Sequence, residues 1–447
     1  MAETVIIADD LTGGNACGIA FAERGFRVLS VAAAGAGEKW PDWDVLVVNT
    51  DTRERRPEEA FEEVRRAFAG AKKAGARYFF KQNDSAMRGH IGAELAAALE
   101  GSGEKCAVFV PACPGNGRIT IGGIHYVHGK PCREAEVSRL SAYPPASSSV
   151  AECIRPYARV SQLDLAVVRG PERRLLETLA DFKRQGGVIV ADAEDDRDVR
   201  RIAKAVVRMD FVLTGGAYVF AGALAEERRP PEGKPFARPA GEPSGAAGGD
   251  ALLMAIGSLS ERTRIQIGEA LREGGFVLKE VGLRDSAAGP GMPGGAGFMN
   301  ADADFAMKSG ALGEIAEFAR QCAAEGRHLI LAPERPAASP DAAIKENGRQ
   351  TAERFAVFVA ELMKRAGPWG GLVLSGGETA SAVLKALACK GIVLREEVFP
   401  TCPRGTLLCG SADGMPVALK AGDWGPPSAL IDIAAHMKKT KCKGAAT

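Results

Sequence analysis

Short apolar runs recur along the chain. Each ends in a turn rich in Gly, Ser, Thr or Asp and is followed by apolar positions at helical spacing. The first run, Thr4-Val-Ile-Ile-Ala8, reads as a buried strand that turns through Asp9-Asp10-Leu11-Thr12-Gly13-Gly14-Asn15 into Ala16, Ile19, Ala20 and Glu23, the start of a helix. Further strands are predicted at 27–31, 45–48, 77–80, 107–110, 165–168, 188–190 and 211–213. Several open into polar clusters: Asn49-Thr50-Asp51-Thr52-Arg53, the stretch from Lys81 to His90, and the stretch from Pro111 to Thr120. Pro57 suits a first helical position, Phe61, Val64 and Phe68 line one face, and Gly75 ends that helix. From Arg228 to Asp250 the pattern breaks into a Pro- and Gly-rich stretch with little to bury. Alternation then resumes with strands at 252–256, 276–278, 329–331, 372–374 and 417–419.

The expected fold class is therefore α/β, with two domains, each a mostly parallel sheet flanked by helices, and an active-site cleft between them. The expected boundaries are 1–228, a linker at 229–250, and 251–447. Length agrees, since 447 residues exceed what one hydrophobic core usually serves.

Composition narrows the function classes. Basic residues number 57 against 56 acidic, a net charge of +1, so no excess points to nucleic acid or an anionic membrane. No basic stretch precedes an N-terminal apolar core, and no apolar run approaches the ~18 residues of a membrane span, so a cytoplasmic location is expected. The ten cysteines form no C-x-x-C pair and read as free thiols. Cys113, His125, His128 and Cys132 are zinc-type ligands, but only His125 and His128 are closely spaced, which argues against zinc.

The chain has no G-x-x-x-x-G-K-[ST], H-E-x-x-H, G-x-S-x-G or H-R-D motif. Gly289-Pro-Gly291-Met-Pro-Gly294 matches G-x-G-x-x-G but lacks a following helix. The weaker signals converge. In the second domain, Ser375-Gly376-Gly377-Glu378-Thr379 and Gly257-Ser258-Leu259-Ser260 offer small residues whose N–H groups can approach an anion at a helix N-terminus, and Lys420 and Gly422 add a cation and a flexible turn. In the first, Lys81, Arg88 and Arg118 supply positive charge beside Asp9, Asp10 and Asp84. Arginine forks match a carboxylate and carboxylates suit sugar hydroxyls, so this half suits a small hydroxy acid. The plainer reading of each element alone is helix capping, with Asp10 or Thr12 as the first cap.

Seven segments in order, ADDLTGGN at 8–15, DSAMRGHIGAE at 84–94, PACPGNGRITIGG at 111–123, ADAEDDRDV at 191–199, GSLSERTRIQI at 257–267, SGGETASAVL at 375–384 and KAGDWG at 420–425, resemble the four-carbon acid sugar kinases. That family includes 3-oxo-tetronate, threonate and erythronate kinases. The resemblance implies an N-terminal acid-sugar domain and a C-terminal ATP domain. It implies that Asp10, Asp84 and Arg88 are catalytic, with Asp10 or Asp84 accepting the proton of the attacking hydroxyl, and that Asp9, Lys81, Ser85 and Arg118 bind the substrate. By the resemblance Ser258, Gly376, Gly377, Glu378, Thr379 and Gly422 would hold ATP; Ser375 and Lys420 join them on the reading of the residues, and Mg²⁺ with the turn from Ser375 to Thr379 would hold the phosphates, with no metal site of the protein's own. The partners implied are a small sugar acid and ATP, and a homodimer is compatible with the chain. Departures fall in the sugar half. Ala16 stands where the family carries an Asp, Gln82-Asn83 replace a lysine and a β-branched residue, Ala86 lacks a hydroxyl and Cys113 replaces a phenylalanine. These departures bear on the substrate, and the alternative they leave open is a sugar-acid and ATP-binding protein that has lost or altered its catalysis.

Overall fold

A computed structural model describes residues 2–32, 43–139, 141–228, 230, 249–258, 260–283, 310–334, 341–422 and 424–444. Most of the expected linker, the 289–294 stretch, Leu259 and Asp423 lie outside the described residues. The chain divides into two units, residues 1–239 with 393–396, and residues 240–392 with 397–447.

The first unit runs β1 (Thr4–Ala8), α1 (Leu11–Ala22), β2 (Val28–Ala32), β3 (Val45–Asn49), α2 (Pro57–Ala74), β4 (Tyr78–Gln82), α3 (Ile91–Ser102) and β5 (Cys106–Val110). A hairpin follows, β6 (Arg118–Ile121) with β7 (Ile124–Val127), then β8 (Lys130–Pro131), α4 (Glu136–Arg139), α5 (Val150–Ile154), β9 (Val160–Leu163), α6 (Leu165–Val168), α7 (Glu172–Gln185), β10 (Gly187–Ala191), α8 (Asp196–Arg208), β11 (Leu213–Gly216) and α9 (Tyr218–Glu227). Eight strands form a parallel sheet in the order β2-β3-β1-β4-β11-β5-β10-β9. β1, β3 and β5 are buried throughout, as strands covered on both faces must be. Pro57 opens α2, and Gly75 closes it with φ 96°.

Three expectations need correction. The run 165–168 is the short helix α6, not a strand, because the Asp164 side chain accepts the Val167 N–H and turns the chain; the strand is the preceding Val160–Leu163. The cluster at 111–120 is not all loop. Arg118–Ile121 pairs antiparallel with Ile124–Val127, and β8 adds a third strand to a small separate sheet. The strand expected at 211–213 instead runs Leu213–Gly216, so Thr214, Gly215 and Gly216 are part of β11.

The second unit holds β12 (Leu252–Ile256), α10 (Glu261–Glu273), β13 (Phe276–Val281), the helix Gly310–Ala324, β14 (His328–Pro333), the helix Asp341–Arg365, β15 (Gly371–Ser375), the helix Gly377–Ala386, β16 (Gly391–Glu397), β17 (Pro403–Leu408), β18 (Pro416–Lys420) and the helix Ala429–Gly444. Its strands run β13-β14-β12-β15-β18-β17, parallel except for β17 against β18. No described helix is long and apolar enough to cross a membrane. All cysteines among the described residues are free.

Both sheets change direction beside their first strand. From β1 the chain places β2 two positions away and β3 between them on one side, then β4 on the other; β12 has β14 on one side and β15 on the other. Ligands of open α/β sheets bind outside the carboxyl ends of strands at such points.

Candidate functional site

In the first unit, register aligns Ala8 with Asn49 on one side and with Gln82 on the other, so the residues that follow β1, β3 and β4 emerge together. Asp10 caps α1, its Oδ1 accepting the Gly13 N–H at 2.9 Å. The capping reading is thus realised, but the same oxygen also accepts from Arg53 Nη2 at 2.7 Å. Arg53 forks onto Asp9 as well, Nε to Oδ2 at 2.9 Å and Nη2 to Oδ1 at 2.8 Å, and its Nη1 lies 4.0 Å from Asp84 Oδ1. One guanidinium therefore serves three carboxylates. Arg53 was not singled out from the sequence, although it closes a polar cluster at a strand end, the signal used for the others.

Asp84 is committed to its own loop. Its Oδ2 accepts the N–H groups of Ala86 and Arg88, each at 3.2 Å, and Arg88 forks onto it at 2.7 and 2.9 Å. Met87 takes φ 65°, which the tight loop imposes on a buried side chain. Burial would push the Asp84 carboxyl up, but Arg88 and Arg53 outweigh it and hold it well below the usual carboxylate range. Asp10 behaves oppositely. Burial pushes its carboxyl up, Arg53 pulls against this, and Asp9 adds to the rise. Among the described residues Asp10 Oδ2 has no hydrogen-bond partner, so it is the carboxylate oxygen open to a ligand.

Other expected residues are placed as follows. Arg118 opens β6, and its Nη1 donates to Asn116 O at 3.2 Å. His125, on the facing strand, donates from Nε2 to Ser85 O at 2.8 Å, while its Nδ1 accepts from Thr120 Oγ1 at 3.0 Å. That tautomer fits its charge, since burial lowers the imidazole to about 4. The hairpin carrying Arg118 is thereby tied to the loop of Asp84 and Ser85. No group of three or more metal-ligating side chains gathers among the described residues. Lys81 departs from expectation. It is fully buried, and its ammonium meets Glu94 at 2.9 Å and Gln82 O at 2.6 Å, so its charge is met inside the unit instead of lining a pocket. Ala86, Cys113 and, within α1, Ala16 are likewise buried.

In the second unit, Ile256 pairs with Ser375 and Ser375 with Lys420, so the turns after β12, β15 and β18 emerge side by side. Gly376 has φ 102°, a left-handed conformation that excludes a side chain at low cost, and it caps the helix Gly377–Ala386. Ala380 N–H is bonded to Gly376 O, the first bond of that helix, so the N–H groups of its first turn point out of its N-terminus. Beneath them Ser375 Oγ is buried and unpartnered among the described residues. Ser258 Oγ accepts from Thr263 Oγ1 at 3.0 Å, and Ser260 caps α10 by accepting the Thr263 N–H. A Cβ on Gly422 would stand 2.4 Å from Ser258 Oγ, so only glycine lets these turns approach. Lys420 corrects the expectation of an open cation. It is 2% exposed and donates to Ala421 O, Gly422 O and Trp424 O, stiffening the last turn. Gln266 Nε2, which sequence reasoning passed over, bonds the carbonyls of Trp424 and Pro426 at 3.0 Å each.

Two family models match the chain, a sugar-binding N-terminal domain at residues 4–226 and a nucleotide-binding C-terminal domain at 253–430. The chain is 30% identical to the D-threonate kinase of Salmonella typhimurium, covering 98% of this chain and 99% of that protein. The chain belongs to the four-carbon acid sugar kinase family. It is 29% identical to the D-erythronate kinase of Heliobacterium modesticaldum, with 94% of each covered. It is 24% identical to the 3-oxo-tetronate kinase of Brucella melitensis, with 94% of this chain and 92% of that one covered. As a four-carbon acid sugar kinase it is a phosphotransferase acting on a sugar acid, with ATP as the donor its class uses.

Proposed function

We propose that this kinase phosphorylates the terminal 4-hydroxyl of a four-carbon sugar acid, with threonate and erythronate ahead of 3-oxo-tetronate. The order of substrates is supported by the higher identity to the threonate and erythronate enzymes. The observation that carries the reading is the pair of carboxylates after β1 and β4 driven to opposite proton affinities. Asp84 is held ionised by two arginines, while Asp10 keeps one oxygen open and a raised affinity for a proton. A base for a hydroxyl must accept a proton, so Asp10 takes that role and Asp84 orients Arg88. Arg88 and Arg118 receive the substrate carboxylate, and Ser85 and Asp9 complete the acid's surroundings.

In the second unit the N–H groups of Gly377, Glu378 and Thr379 take the phosphates, as helix N-termini do. Ser258, Ser375, Gly376 and Gly422 close around the nucleotide, and Lys420 keeps the last turn in shape. Mg²⁺ would come with the nucleotide, near Glu378, the carboxylate of that turn, and would supply neutralisation of the phosphate charge. The protein's own work is to orient the hydroxyl and receive its proton. The direct test is ADP release from Mg·ATP against C3 to C6 sugar acids, including threonate, erythronate and their 3-oxo forms. Turnover on one C4 acid is the expected result. ATP binding with no turnover on any acid would overturn the reading in favour of a binding protein.

A further inference from the structure

Beneath the acid-binding end of the first unit lies a buried polar network that the reading above does not use. Glu94, in the first turn of α3, is fully buried. Its Oε1 accepts from Thr52 Oγ1 at 2.6 Å, and its Oε2 accepts from Lys81 Nζ at 2.9 Å and Asn83 Nδ2 at 3.3 Å. Thr52 Oγ1 lies 2.9 Å from Thr50 Oγ1, which donates to Ala8 O at 2.7 Å. The partners of Glu94 stop one residue short of the site: Thr52 precedes Arg53, and Asn83 precedes Asp84.

We propose that Glu94 is a positioning residue for phosphoryl transfer, its carboxylate fixing through Thr52, Lys81 and Asn83 the two chain segments that present Arg53 and Asp84. This rests on the sugar acid kinase reading for its kinetic consequence, but not for its structural one. A buried ion pair is weak evidence for stability, because apolar residues of the same volume often serve as well. What apolar residues cannot supply is a junction in which one carboxylate accepts from three side chains on two adjacent loops. Lys81 is the only charged group bonded to Glu94 among the described residues, and the carboxylate also lies at the favourable end of the α3 dipole.

The test uses two variants of the full chain. Thr52→Val removes one hydroxyl at constant shape and leaves the Lys81–Glu94 pair intact. Lys81→Met combined with Glu94→Gln removes both charges together, so no unpaired charge is buried. Both are expected to fold and to keep the ATP KM within about twofold, while kcat/KM for the sugar acid falls about tenfold or more, the cost of sub-ångström misplacement at a reacting centre. Amide exchange read by mass spectrometry should quicken in peptides covering 50–56 and 81–90 and stay unchanged in the rest of the unit. A Thr52→Val enzyme with wild-type kcat/KM and unchanged exchange in those peptides overturns the proposal. If the wild-type protein itself turns over no sugar acid, the kinase reading fails, and the exchange arm still decides whether Glu94 organises the two loops.

Discussion

Arg53 and Asp10 meet at 2.7 Å where β1 ends, and the same guanidinium group grips both oxygens of Asp9 with its Nε and Nη2 edge. Of the three carboxylates around Arg53, Asp10 is the most exposed, with 21% of its side chain open against 1% for Asp9 and 10% for Asp84. Burial and Asp9 disfavour its charge, so its ionised form is held at a cost to the fold. Asp10→Asn keeps an oxygen to cap Gly13, since Asn caps helices as well as Asp does. The variant should be as stable as wild type or more so in urea unfolding, bind ATP normally, and lose a factor of about 10²–10⁴ in kcat, the usual worth of a general base. Turnover near wild type would remove Asp10 from that role.

Arg53 separates charge from geometry. Arg53→Ala strands Asp9, which is 1% exposed, and loss of one partner from a buried pair costs about 3–5 kcal/mol. Arg53→Lys keeps the charge but not the fork. Urea unfolding should show most of the stability restored in the lysine variant, while kcat/KM for the sugar acid stays depressed.

The pH dependence of stability follows from His125. Its ordinary value of 6.5 falls to about 4 on burial, so between these values the unfolded chain holds a proton that the folded one does not. Stability is then fully present above pH 6.5 and declines as the pH falls toward 4, by about 3 kcal/mol at most from this group. His328, also lowered to about 4 and accepting the Leu252 N–H, acts in the same window. Thermal melts across pH 4 to 7 should show this slope, and it should be shallower in His125→Gln. Asp84 acts lower, its contribution present above the ordinary 3.8 and lost below it.

The strand-and-turn alternation made both sheets legible, because parallel strands covered on both faces must be apolar runs and their ends must be polar. Asp9, Asp10 and Asp84 were legible for the same reason. Arg53 was not, because its role depends on β3 lying next to β1, a pairing across more than forty positions that periodicity does not encode. Lys81 and Lys420 misled in the opposite direction. A lysine after a strand reads as an open cation, but each here is buried against carbonyls, Lys81 with Glu94 beside it. The strand expected at 165–168 failed on one capping residue, Asp164.

The approach of Gly422 to Ser258 gives the last test, and it isolates the nucleotide half. A methyl group at position 422 would come within 2.4 Å of Ser258 Oγ and 2.7 Å of its Cβ, closer than real Cβ contacts occur. Ser258 cannot simply rotate away, because Thr263 donates to its hydroxyl and Ser260 caps the helix beside it. The turn after β18 must therefore shift outward, carrying with it the carbonyls that Lys420 and Gln266 hold. Gly422→Ala should raise the Kd for ATP about tenfold or more by calorimetry, corresponding to about 1.4 kcal/mol. Far-UV circular dichroism should stay unchanged, and so should sugar-acid binding, because the residues proposed to hold the acid belong to the first unit. Unchanged ATP affinity would show that this turn does not touch the nucleotide.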